Sequence, residues 1–96
     1  MQDEVLRFRE TTNPTVSGNQ VGISNIFERD LPDAKGVVGP RISAVLVIFD
    51  PATQQSRRET VATGSTVAIG ADHYCVVSVE AGKSAPGWVS LRKLAP

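Results

Sequence analysis

The strongest pattern along this chain of 96 residues is alternation: apolar and polar side chains exchange places every second residue, between short clusters of Gly, Pro, Asn, Asp and Ser. No long segment repeats its apolar residues at three and four, so the pattern predicts strands and no substantial helix. Val5 to Thr12 sets Leu6 and Phe8 against Arg7 and Arg9, a strand with one wet face, and Asn13-Pro14 ends it. Ser17-Gly18-Asn19 turns the chain into Gln20 to Phe27, where Val21 and Ile23 share a face. Further strands are predicted over Arg41 to Asp50, Arg57 to Thr63, Thr66 to Ile69, His73 to Glu80 and Trp88 to Leu94. Asp50-Pro51-Ala52-Thr53 has the residues of a type I turn, Gly64-Ser65 and Gly70-Ala71-Asp72 reverse the chain, and Ala81 to Gly87 is a loop. Glu28 to Pro40 is polar and lacks alternation, which predicts one long irregular loop, with Pro32 opening and Gly36 closing a single helical turn.

Seven short strands joined by turns this tight imply an antiparallel meander. Each strand buries one face and disposes of its edges most economically in a partly open barrel or a compact sandwich, and the barrel is the closure expected here. The fold class is therefore all-β, in a single domain spanning residues 1–96, with frayed ends at 1–3 and 95–96.

One strand breaks the alternation. Ser43 to Pro51, SAVLVIFDP, holds six apolar residues in a row and is apolar at both parities. A strand turns successive side chains to opposite faces, so this run needs cover on its second face as well as its first. Two coverings satisfy it: the N-terminal strands together with the Glu28 to Pro40 loop, or a second copy of the protein.

Ten basic and ten acidic side chains cancel, and the isoelectric point of about 6.6 argues against a general polyanion binder, so nucleic acid is not an expected partner. The one uneven region is the end of the chain, where Lys83, Arg92 and Lys93 face no acidic side chain. Cys75 is the single cysteine and forms no internal disulfide. Five of the first ten residues are charged, which fits no secretory leader, and the longest apolar run is far short of the roughly 20 residues of a spanning helix. These features predict no membrane association and a cytoplasmic location. Asn13-Pro14-Thr15 is not a glycosylation acceptor, because Pro fills the excluded position.

The candidates for chemistry are weak. Gly82-Lys83-Ser84 resembles the end of a phosphate-binding loop, but Val77 stands where the first glycine of that motif belongs, and a strand follows where a helix is required. His73 and Cys75 share a strand face at roughly 7 Å, too far for a base to activate a thiol directly, and two ligands fall short of a zinc site. Glu28, Asp30 and Asp33 have no spacing that pairs carboxylates for acid–base work, and Arg29 and Lys35 can neutralise them. No catalytic, cofactor or metal site is expected.

The stretch from Thr63 to Leu94 resembles the closing strands of bacterial SH3-type barrels. The residues that carry the likeness are Gly64, Val67 and Ile69, then Tyr74, Val76 and Val77, then Gly87-Trp88-Val89 and Leu94. It covers about a third of the chain and implies an SH3-like barrel. In that family the associated role is binding cell-wall peptides and other extended ligands in an aromatic-lined groove. Here the five aromatics are scattered as Phe8, Phe27, Phe49, Tyr74 and Trp88, so the resemblance carries over the barrel and not the ligand.

A contact surface remains. If Val89 and Leu91 face the core, Trp88, Ser90 and Arg92 point outward, and Trp beside Arg is the composition of a binding hot spot. The alternative for Trp88 is a lid over the barrel mouth. With the loop residues Glu28, Arg29, Asp30, Asp33 and Lys35, these form the expected partner-binding surface. The function expected is a non-catalytic protein-binding module, of the kind seen in stand-alone bacterial inhibitor and immunity proteins, with another protein as partner. The alternative is a homodimer or larger structural assembly joined through the 44–49 strand.

Overall fold

The computed structural model describes residues 5–33, 35–82 and 86–95. Of the positions singled out above, Lys83, Ser84 and the terminal residues 1–3 and 96 lie outside these. The described residues form eight strands and no helix: β1 Val5–Arg9, β2 Thr15–Val16, β3 Asn19–Pro32, β4 Val38–Asp50, β5 Gln55–Ala62, β6 Thr66–Ile69, β7 Asp72–Glu80 and β8 Trp88–Lys93. The strand not foreseen is β2, two residues that pair with β3 across a hairpin turn. Ser17 and Gly18 both adopt positive φ there (48° and 79°), as a type I′ turn demands.

All pairings are antiparallel and give two four-stranded sheets, β1-β8-β7-β6 and β2-β3-β4-β5. The sheets join where β1 ends. Glu10 N–H still donates to Gly87 O (2.8 Å), but after a kink at Thr11 (φ 68°) the chain bonds to β3 instead. Thr11 N–H donates to Ile23 O (2.8 Å), Ile23 N–H to Thr12 O (3.1 Å), and Val21 N–H to Pro14 O (2.8 Å). The segment from β1 through Pro14 into β2 thus bonds to both sheets, and the hydrogen-bonded order runs β5-β4-β3-β2, through the kink into β1, then β8-β7-β6. That is a partly open barrel, with its gap between β5 and β6. Across the gap the Arg57 guanidinium donates to Ala68 O.

The core lies between the sheets. Leu46, Ile48, Val21 and Ile23 of one sheet and Ile69, Val76, Val89 and Leu91 of the other are fully buried, with Leu6, Phe8 and Ile42 packed against them. Burying each such side chain is worth about 1.5–3 kcal/mol.

The second face of SAVLVIF is shielded mostly within its own sheet. Val45 lies between Ser24 and Thr60, Val47 between Gly22 and Arg58, and Phe49 between Gln20 and Ser56. The two parts of the covering expected from within the chain, the N-terminal segment and the Glu28 to Pro40 segment, contribute single side chains. Arg29 closes over Ser43, donating to its Oγ (2.6 Å) and carbonyl (3.1 Å). Asn13 Oδ1 lies 3.5 Å from where a Cβ at Gly22 would be. Val45 is buried, and Val47 and Phe49 are part-buried.

The segment Glu28 to Pro40 departs most from expectation, because it is neither irregular nor helical. β3 and β4 continue as a two-stranded ribbon, pairing Glu28 with Ile42, Asp30 with Pro40 and Pro32 with Val38. The reversal lies within residues 33–37. The Asp33 carboxylate accepts from the backbone N–H of Lys35 (2.8 Å) and Val37 (3.0 Å), and Gly36 takes φ 83°. Neither face of the ribbon meets the core along most of its length, so nothing selects an alternating pattern; turn chemistry sets its register instead.

Candidate functional site

β1, β8 and β7 turn alternate side chains outward in register. Strand pairing sets Arg9, Trp88 and Glu80 in one row, Arg7, Ser90 and Ser78 in the next, and Val5, Arg92 and Cys75 in the third. The opposite parity, Leu6 and Phe8 with Val89 and Leu91, fills the core, which fixes the outward direction of this set. A register shift between Val76 and Ser78 pushes Val77 out beside them.

Trp88 is not a lid over the barrel mouth. The Arg7 guanidinium carbon stands 4.0 Å from its ring centroid, and Arg7 Nη2 lies 3.8 Å from Glu80 Oε1. Both charged side chains are about half exposed, so the ion pair itself adds little stability. Its effect is positional: Arg7 is held between a carboxylate and an aromatic face, and the indole is held with it. Arg9 and Arg92 make no ion pair among the described residues, which leaves three guanidinium groups against one carboxylate on this face.

The expected contact residues divide. Trp88 and Arg92 sit on the face as predicted. Ser90 shares it but is only 6% exposed, because a short side chain in an inner strand is overshadowed by larger neighbours; it is a floor residue and not a contact. Glu28 and Asp30 are exposed on one side of the ribbon, in the other sheet, and Lys35 is exposed in its turn. Arg29 is committed internally, to Ser43 and to Asn25 O (2.9 Å), with its guanidinium carbon 3.7 Å above the Phe27 ring. Asp33 holds the turn, and the N–H groups of Val37 and Lys35 lower its pKa below the usual carboxylate value. No hydrogen bond or ion pair among the described residues links the ribbon residues to Trp88 or Arg92.

Arg7, Arg9 and Glu80 were not singled out from the sequence. Arg7 and Arg9 carried a legible signal, as the wet parity of an alternating strand. What placed them beside Trp88 is the pairing of β1 with β8, a contact between the two ends of the chain.

His73 and Cys75 lie on the outward parity of β7, His73 exposed and Cys75 part-buried. Asp72 points elsewhere, accepting from Ser17 Oγ (2.7 Å) and pairing with Lys93 Nζ (3.4 Å), while the Ser17 and Tyr74 hydroxyls meet at 2.5 Å. This network ties the β2–β3 turn to β7 and β8. The Ser17 hydrogen bond, then Lys93, lower the Asp72 pKa below the usual value.

No match to this chain is found among protein-family models, curated proteins or solved structures.

Proposed function

We propose that the protein is a non-catalytic module that binds another protein through the outer face of β1, β8 and β7, in the manner of inhibitor and immunity proteins. The observation that carries this reading is the Arg7–Trp88–Glu80 stack, flanked by Arg9 and Arg92. Tryptophan and arginine dominate the energetics of protein contacts, and an indole already held in place loses less rotamer freedom when a partner covers it. The strand at 44–49 offers an assembly of copies less, because Val45 is buried within its own sheet and Val47 and Phe49 are partly shielded.

The test is capture by cross-linking in the source cell, followed by calorimetry on the purified pair. Trp88→Ala and Arg92→Ala are expected to weaken the complex by about 2 kcal/mol each, roughly 30-fold, while Arg58→Ala on the opposite sheet leaves it unchanged. A complex indifferent to Trp88→Ala removes the proposal.

A further inference from the structure

The large apolar side chains left exposed among the described residues fall in two places. Phe27, Val37 and Val38 belong to the β3–β4 ribbon, at 51%, 64% and 64% exposure; Val5 and Val77 belong to the outer face of β1, β8 and β7. The side of the ribbon that carries Val38 is opposite in charge to the outer face, while Phe27 lies with Arg29 and Arg41 on the ribbon's other side. On the ribbon, Glu28, Asp30 and Val38 share one side, and neither carboxylate makes an ion pair among the described residues. On the outer face Arg7, Arg9 and Arg92 surround Trp88 and Val5. The spacing also agrees: Glu28 and Asp30 are two residues apart on one strand, as are Arg7 and Arg9, and both pairs therefore repeat at roughly 7 Å.

We infer that the ribbon of one copy docks on the outer face of a second copy, Glu28 and Asp30 against the arginines and Val38 against the Trp88 side. The inference rests on the reading of that face as a protein contact, and it names one occupant. An isolated two-stranded ribbon is marginal in water, and one that exposes apolar residues gains most from a surface that covers them. Among the described residues Arg9 and Arg92 on the outer face, and Glu28 and Asp30 on the ribbon, make no ion pair, so in a chain of zero net charge the two surfaces are complementary to each other. Made reciprocally, the contact closes at two copies. Self-association and capture of a different protein then exclude each other on this face.

Sedimentation equilibrium of the full chain tests this, with Trp88 emission as a second readout, since the chain has one tryptophan and it lies at the contact. The mass is expected to rise from 10.2 kDa toward twice that value between about 10 μM and about 1 mM, as suits a small interface. Arg9→Glu with Arg92→Glu, and separately Glu28→Arg with Asp30→Arg, each weaken association at least about tenfold. Mixing the two variants restores it, because each reversed face then meets a reversed ribbon. Trp88 emission follows the mass in every case. A monomer throughout the range overturns the inference, and so does a dimer that ignores both charge reversals. The Glu28→Arg, Asp30→Arg variant keeps the outer face intact and serves to measure capture of a different protein. If that capture depends on Trp88 while the wild type stays monomeric, the inference falls and the function proposed above stands.

Discussion

Gly70 is required by backbone geometry. Its φ is +62°, and a Cβ there would run into the Ser17 carbonyl oxygen and approach Ser17 Cβ to 3.3 Å. Backbone cannot swing aside as a flexible side chain does, so Gly70→Ala is expected to cost about 2–3 kcal/mol in urea unfolding. A change under about 0.5 kcal/mol, the range of an ordinary surface substitution, refutes the close approach. Next to it, Asp72 makes stability depend on pH. Its folded pKa lies below the usual 3.8 because Ser17 donates to the carboxylate and Lys93 stands beside it. A carboxylate with a depressed folded pKa stabilises fully above its unfolded value and loses that contribution as pH falls through the folded one. Wild type is therefore expected to be more stable than Asp72→Asn at pH 7, with the difference shrinking once pH drops below 3.8. Parallel curves across that window would show that the ionised form contributes nothing.

Among the elements, β3 shows how a polar side chain replaces a missing ladder bond. Its register shifts between Ser24 and Phe27, Asn25 takes φ 54°, and the freed Ile26 N–H turns to Glu10 Oε2 at 3.0 Å. The other oxygen of the same carboxylate accepts from Gly87 N–H at 3.2 Å. One side chain thus ties the bulge of one sheet to the start of β8 in the other. Glu10→Ala leaves two part-buried N–H groups without partners and is expected to cost about 1–3 kcal/mol, whereas Glu10→Gln, which keeps one acceptor, costs less. Equal melting temperatures for wild type and Glu10→Ala exclude this role. Nothing local announces it, since Glu10 reads as one charge among many at the end of β1. What was legible in the sequence is what adjacent residues decide: strand ends near Phe49-Asp50, Ile69-Gly70 and Glu80, and turns at Ser17-Gly18 and Asp50-Pro51. The ribbon over Glu28 to Pro40 was not, because it leaves the core behind and loses its alternation there. The β1–β8 pairing was not either, since it joins residues more than 75 positions apart and depends on the closed barrel. Half of the candidate face followed from Trp88 and Arg92; Arg7, Arg9 and Glu80 awaited that pairing.

For the molecule as a whole, the decisive property is that two sheets share one core. Leu46 in β4 is fully buried with Ile69, Val76 and Leu91 of the opposite sheet in the same cluster, so neither sheet has an apolar interior of its own. A domain of this size has only about 5–10 kcal/mol in hand, and a Leu→Ala change at such a site costs about 2–5 kcal/mol. Leu46→Ala is therefore expected to lower the unfolding midpoint sharply, and to do so equally for both sheets. The chain provides its own reporter for the distant one: Trp88, stacked on Arg7 in the sheet that does not contain Leu46, is the single tryptophan. Its emission and the far-ultraviolet circular dichroism should shift together, with coincident transitions before and after the substitution. If the Trp88 transition held its midpoint while the dichroism lost part of its amplitude early, the sheets would unfold as separate units. The kinked segment from β1 into β2 would then be a tether between them instead of a seam. Coincidence instead means that the proposed binding face stands or falls with the barrel behind it, so that core substitutions would alter binding there only through the fraction of molecules folded.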